Sequence, residues 1–181
     1  MSLYTQAMNS EFIFLGNGNI EVRNAVIIWK NFEGRENRFG SCKRTFSLVL
    51  DDATASKLTD NGWNVKIKDG REPGDDPLIT TEIVVNMENE IERYRPDIKL
   101  YSSFNGRNTC RTLDINSVGD LDQLELERVD LEIHPYEHNR GQYSVKGYLN
   151  RLNAVQAEDR SFGGFYANFM RDDTPDEVPF N

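Results

Sequence analysis

Apolar and polar positions along this chain alternate in short runs, the pattern of strands that face a core on one side and water on the other. Ile20-Glu21-Val22-Arg23-Asn24-Ala25-Val26-Ile27-Ile28-Trp29 is rich in β-branched residues and predicts one long strand. In Arg44–Leu50, Phe46, Leu48 and Leu50 alternate with Thr45, Ser47 and Val49. Trp63–Lys68 alternates again, Ile79–Met87 reads as a further strand, and Val129–Ile133 keeps a clean period of two. Ile98–Ser102 and Cys110–Ile115 are expected to pair as a hairpin around Asn105-Gly106, a dipeptide suited to left-handed turn positions. Tyr143–Ala154, entered through Asn139-Arg140-Gly141-Gln142, predicts the last strand. Helical signals are few. Asp51 or Asp52 caps a short helix through Ala53, Ala55 and Leu58 that Gly62 ends, and Val118–Leu124 reads as a short helix or a loop. Many short strands with one or two short helices predict an all-β protein, an antiparallel barrel or sandwich.

A length of 181 residues suits one domain. A chain of roughly 150 residues or more buries about 70% of its unfolded surface, so no disulfide or metal staple is required. Cys42 and Cys110 have no CxxC spacing and fit two ordinary thiols in a reducing cytosol. Met1–Gln6 lacks the basic and apolar regions of a signal peptide, and no apolar run approaches the roughly 20 residues of a membrane span, so a soluble intracellular domain is expected. Residues 1–19 are expected to be loose, 20–171 to form the domain, with an exit arm after Gly163-Gly164, and 172–181 to be a disordered tail.

The net charge of −9 argues against a nucleic-acid partner, but its distribution argues for one. Residues 69–92 carry eight acids and one base, and 112–132 carry seven and one. Blocks 29–46, 93–111 and 133–151 run the other way: these 56 residues hold 13 of the 21 Lys and Arg and 10 of the 19 aromatics. Local field, not net charge, decides where a polyanion binds. Unpaired bases stack on aromatic rings while Lys and Arg neutralise phosphates, a mode tolerant of base identity. The first block offers Trp29, Lys30, Phe32, Arg35, Arg38, Phe39, Lys43 and Arg44. Trp29 and Phe46 lie on strands, where core packing is an equal alternative. Phe32 and Phe39 lie in the glycine-bearing loop and are the better stacking candidates. The second block offers Lys99, Tyr101, Phe104, Arg107 and Arg111, with Arg93, Tyr94 and Arg95 before them. Strand alternation puts Lys99 and Tyr101 on one face, opposite Ile98 and Leu100. The third offers Tyr143, Lys146 and Tyr148, flanked by Tyr136, Arg140 and Arg151.

The runs Asn31-Phe32-Glu33-Gly34, Arg38-Phe39, Arg44-Thr45-Phe46 and Gly62-Trp63-Asn64-Val65-Lys66 resemble a group of phage single-stranded DNA-binding proteins. Val129–Tyr136 and Gly147-Tyr148-Leu149 are similar to that group too, so the likeness spans roughly residues 22–170. The resemblance implies an OB-type five-stranded antiparallel barrel with insertions, a single strand held in its groove, and a role in phage replication or recombination in the cytoplasm of the bacterial host. Residues 172–181 hold four carboxylates, no base and two prolines, a composition that forms neither helix nor strand. This tail resembles the acidic, Phe-ended tips through which replication single-stranded DNA-binding proteins dock partner enzymes. Asp172, Asp173, Asp176, Glu177, Pro179 and Phe180 are its partner-binding candidates, and the tail's charge can also compete for the protein's own basic groove. It departs from that pattern in one residue, because Asn181 follows Phe180.

Catalytic signals are weak. His134 and His138 have metal-ligand spacing for a helix, but Pro135 and the strand pattern argue against one. Asp114, Asp120, Asp122, Glu125 and Asp130 suggest a magnesium-dependent nuclease by type only, and a solvated acidic face that repels misplaced DNA fits them as well. No Walker A, GxSxG or Cys-His pattern is present. The expectation is a non-catalytic protein without cofactor or metal that binds single-stranded DNA, recruits replication or recombination proteins through its tail, and touches no membrane. Homo-oligomerisation stays open. The alternative is a β-rich phage structural or protein-interaction module, including an acidic inhibitor of a host nucleic-acid enzyme.

Overall fold

The computed structural model of the chain describes residues 1–138 and 141–158. Among these residues ten strands form one sheet: β1 (Glu11–Phe14), β2 (Ile20–Arg23), β3 (Ile27–Asn31), β4 (Thr45–Val49), β5 (Val65–Lys68), β6 (Leu78–Val84), β7 (Asp97–Phe104), β8 (Arg107–Leu113), β9 (Leu126–Glu137) and β10 (Val145–Gln156). Two short α-helices accompany them, α1 (Leu3–Ala7) and α2 (Asp52–Asp60), with 3-10 turns at Glu92–Tyr94 and Val118–Asp122. The all-β class expected from the alternation is the one adopted.

The run 20–29, expected as one strand, is two. Asn24 sits at φ 53, a left-handed conformation that Asn tolerates better than its β-branched neighbours would. The Asp130 carboxylate accepts the Asn24 N–H at 2.8 Å and holds the bend. Before it, β2 pairs antiparallel with β9 (Ile20↔Ile133, Val22↔Leu131); after it, β3 pairs antiparallel with β4 (Ile27↔Leu48). The link itself bridges both sides, since Ala25 N–H donates to Val129 O and Val49 N–H donates to Val26 O. Each half of the bent strand thereby borders a different end of the path β2-β9-β10-β6-β4-β3, and the path closes on itself. The circuit has five members once β2 and β3 are counted as one. It is mixed rather than wholly antiparallel: β10 runs parallel to β6 at Gly147↔Ile83 and Tyr148↔Val84, and farther along parallel to β7.

Val22, Phe46, Leu48, Ile83, Leu131, Ile133, Leu149 and Leu152 point inward and belong to one buried cluster. The remaining strands are additions to the circuit. β5 borders the first half of β6, and the β7–β8 hairpin borders the second half of β10. Its turn is the expected one, with Asn105 and Gly106 at φ 48 and 72. Helix α2 follows β4 as expected: the Asp51 side chain caps it by accepting Thr54 N–H, and its buried side is Thr54, Ala55 and Leu58.

The N-terminal residues are fastened rather than loose. β1 pairs with β2 from Glu11↔Arg23 to Phe14↔Ile20, Ala7 is fully buried, and Tyr4 OH donates to Asp52 at 2.6 Å. These contacts are long-range, and a short polar segment carries no local signal of them. The expected boundary at residue 20 falls inside this ordered region, and the expected tail, 172–181, lies outside the described residues along with the exit arm at Gly163-Gly164.

Trp63 closes one side of the core by lying over Gly147. A Cβ at 147 would stand 2.6 Å from Trp63 Cζ3 and 2.9 Å from Ile83 Cδ1. Gly147→Ala is therefore expected to destabilise the protein by about 1–3 kcal/mol through overpacking. Urea unfolding checks this, and an unchanged midpoint would contradict the packing described.

Candidate nucleic-acid interface

The loop between β3 and β4 is built by two asparagines and an aspartate. Asn31 accepts Arg35 N–H at 2.8 Å and donates to Arg35 O and Lys43 O, clamping the two ends of the loop together. The Asn37 side chain accepts the N–H groups of Phe39 and Ser41 and folds the tip. Asp122, buried in the turn Val118–Asp122, accepts Phe32 N–H at 2.8 Å and Glu33 N–H at 3.0 Å. Gly34 is required, because its φ is 76 and a Cβ there would meet Cys42 O at 2.9 Å. These bonds order the loop from its root to its tip, where Phe39 is exposed.

A β-bulge at the loop's root sorts the first basic block. Ile28 pairs with Ser47 and Asn31 with Thr45, so Trp29 and Lys30 together oppose Phe46. The extra residue puts Trp29 at φ 49, a conformation rare for a bulky side chain, and leaves its ring 61% exposed. Lys30 turns the other way. Its Nζ donates to Leu121 O at 2.7 Å and Leu124 O at 3.0 Å, and burial holds its pKa below the ordinary lysine range. Lys30 is thus an anchor, not a phosphate ligand, a correction to the sequence expectation.

Phe32 is corrected in the same way. It is 0% exposed and stacks on Phe46 with ring centroids 5.4 Å apart, so it is core and not a stacking platform. The neighbouring aspartate explains why: Asp122 fastens Phe32's own N–H and pulls the first loop residues against the barrel. Phe39, at the far side of the loop, is 80% exposed with the Arg38 guanidinium 4.7 Å above its ring. Arg35 is exposed but sits between Glu33 and Asp122 at 3.9 Å each. Arg44 is largely covered and pairs with Glu88 at 3.3 Å.

Lys43 and the third block come together on the outer face of the barrel. Lys43 pairs with Glu82 of β6 at 3.5 Å, and Glu82, Lys66 and Lys146 line one small cleft of about 90 Å³. Beside it runs the row Asn31–Thr45–Val84–Tyr148–His134 across β3, β4, β6, β10 and β9. Tyr148 is half-buried on this face, Lys146 is exposed one pair along, and Tyr143 is exposed in the turn before β10. Lys66 and the half-exposed Thr45 and Ser47 are additions to the site. The alternation of Trp63–Lys68 already marks Lys66 as outward, but not which strand it joins.

The second block stands apart on the β7–β8 hairpin. Lys99 and Tyr101 do share the face opposite buried Ile98 and Leu100. Lys99 lies 3.8 Å from Asp97, Phe104 is half-buried, and Arg107 is exposed at the turn. Arg111 pairs with Asp120 at 2.9 Å and lines a cavity with Glu33 of the β3–β4 loop.

Four of the five acids suggested as a nuclease set, all but Glu125, have separate structural partners. Asp114 accepts N–H groups of Asn116 and Ser117, Asp120 pairs with Arg111, Asp122 holds the loop, and Asp130 binds Asn24 and Arg128. Among the described residues no group of three or more His, Cys, Asp or Glu is placed to hold a metal ion.

A β-barrel that exposes rings on a loop and cations on its outer face offers what single-stranded nucleic acid requires of a surface. The family model described as "Putative phage ssDNA-binding domain" matches residues 10–167, and the chain belongs to that family. Among solved structures it is similar to the single-stranded DNA-binding protein from bacteriophage Enc34, with 12% identity over 86% of this chain and 93% of that one at a TM-score of 0.48. The same phage protein in complex with ssDNA matches at 13% identity over 84% and 93%, with a TM-score of 0.49. No curated protein matches in sequence.

The two phenylalanines of the loop separate core from surface. Phe32→Ala is expected to cost about 3–5 kcal/mol of stability, as for buried aromatics. Trp29→Ala and Phe39→Ala should stay within about 0.5 kcal/mol of the parent. Denaturant unfolding of the three variants checks this, and equal losses would refute the assignment.

Proposed function

We propose that this protein binds single-stranded DNA along the outer face of β4, β6 and β10, beside the β3–β4 loop. Trp29 and Phe39 stack on bases, and Arg38, Lys43, Lys66 and Lys146 hold phosphates. The observation that carries this reading is Trp29. A bulge and a left-handed backbone hold a large ring out in solvent beside a cationic face, where burial would be the default for an apolar residue in a strand. Family membership supports it.

The finer reading rests on the same face. The five-member circuit supports an OB-type barrel, whose outer face and loops are the usual site for a single strand. The protein then acts without catalysis, coating DNA in phage replication or recombination in the bacterial cytoplasm, and residues 172–181 recruit partner proteins. The hairpin cations Lys99, Arg107 and Arg111 extend the track only for longer strands.

Fluorescence anisotropy with oligo-dT, a duplex of equal length and RNA tests the proposal. Oligo-dT should bind at low salt with a slope of about −0.7 per phosphate contacted. Trp29→Ala and Phe39→Ala should each weaken binding by about 1–3 kcal/mol. The chain has two tryptophans and Trp63 is buried, so DNA should quench the emission of Trp29 alone. Binding to duplex but not to oligo-dT would sink the reading. Deleting residues 172–181 should raise single-strand affinity at low salt and abolish partner capture; unchanged affinity would remove the competitive role and leave recruitment.

A further inference from the structure

The outer face does not end at Tyr148. Beyond it, between β9, β10 and the segment leaving β6, lies a cavity of about 580 Å³. Tyr94, Tyr136 and Tyr148 line it beside the His134 imidazole, as do four asparagines, of which Asn19 is already bonded to Glu132 and His134. Tyr136 meets Tyr148 edge-on, with centroids 6.0 Å apart and planes at 81°. Tyr94 and Tyr136 are more than half exposed, so neither ring is needed to fill the core.

We propose that this cavity receives nucleobases turned out of a single strand that crosses the outer face, and that it reads their edges. The inference rests on the single-strand reading above and adds a subsite to it. Three properties point to a base rather than another ligand. Planar rings at the wall suit a flat heterocycle, which stacks on them. Amides suit a base edge, because each carries a donor and an acceptor. Asn89 uses its Oδ1 for Ile91 N–H and Asn150 its Nδ2 for Glu132, so each keeps its other amide atom for a ligand. Finally, among the described residues no Lys or Arg lines the cavity, so it does not favour a free nucleotide with its phosphates.

The cations stand at the rim instead. Lys146 is directly opposite Tyr136 in the β9–β10 register, and the Arg93 guanidinium lies 4.9 Å from the Tyr94 ring centroid. A backbone held at Lys146 places its next base over Tyr136. The exposed rings at Trp29 and Phe39 stack on any base, whereas a cavity with amides distinguishes them, so this subsite is the source of base preference.

The test uses the full chain with oligo-dT, oligo-dC and oligo-dA of equal length, titrated over a range of salt against wild type, Tyr136→Ala and Tyr94→Ala. Both substitutions are at exposed rings, and circular dichroism confirms their folding. The expected result is unequal wild-type affinities for the three oligomers. Each variant should lose about 5- to 150-fold in affinity for the favoured one, with an unchanged salt slope and converging preferences. Wild type that binds oligo-dT, with both variants keeping its affinity and preference, would overturn the subsite and leave the interface standing. A loss accompanied by a reduced salt slope would also overturn it. If wild type binds no single strand, the interface and the subsite fail together.

Discussion

The bend at Asn24 is the constraint on which the rest of the structure depends. A straight strand from Ile20 to Asn31 would have one neighbour on each side along its whole length. The bend, held by Asp130 and by the link's own hydrogen bonds to Val129 and Val49, gives the first half to β9 and the second half to β4. That exchange closes the circuit, which has two consequences for function. The inward positions of five strands converge on a single core, and the outward positions of β4, β6 and β10 form one continuous face on which Lys43, Lys66, Lys146 and Tyr148 meet. The same strand then bulges at Trp29, so barrel closure and the exposure of the principal ring are features of one segment.

Charge is divided between construction and surface in a way that composition conceals. Lys30 and Arg44 come from the basic blocks, yet carbonyls of the turn Val118–Asp122 and its flank, and Glu88, occupy their heads. Asp122 belongs to the acidic run 112–132, yet it orders the loop that carries Phe39. Covered charges such as Lys30, Arg44 and Asp122 must be paired or hydrogen-bonded, because desolvation is costly. Their pairing leaves the remaining cations, Arg38 and Lys146 among them, on the surface, where a polyanion can reach them.

Much of the fold was legible because its causes are local. Period-two alternation located β4, β9 and β10, Asn105-Gly106 located the hairpin turn, and Asp51 with Gly62 bounded α2. The misreadings have long-range causes. Residues 20–29 have the β-branched composition of one strand, and nothing within that run shows that Asp130, more than a hundred residues later, bends it. The N-terminal segment appears loose because its partners, β2 and Asp52, are supplied by tertiary contacts. For the site, the basic-aromatic blocks contain the β3–β4 loop and strand β10 on which the proposed interface rests, but they favoured Phe32, which is buried, over Trp29, which is exposed. Phe32 and Phe39 have equivalent loop surroundings in sequence; the Asp122 carboxylate and the Phe46 ring hold one in the core, and the other is left in solvent.

The sequence by itself determined the all-β class, most strand positions, the segregation of basic and aromatic residues, and the family, because each follows from residue type and near-neighbour spacing. Tertiary structure alone decided which of those residues share a face. Register across non-adjacent strands brings Lys43, Lys66, Glu82 and Lys146 together, a bulge turns Trp29 out and Lys30 in, and closure of the barrel places the tyrosines of β9 and β10 beside asparagines from the segment after β6. The physical reason is common to all three. A side chain's accessibility depends on what folds against it, and those partners are set by pairings that no local window of sequence contains.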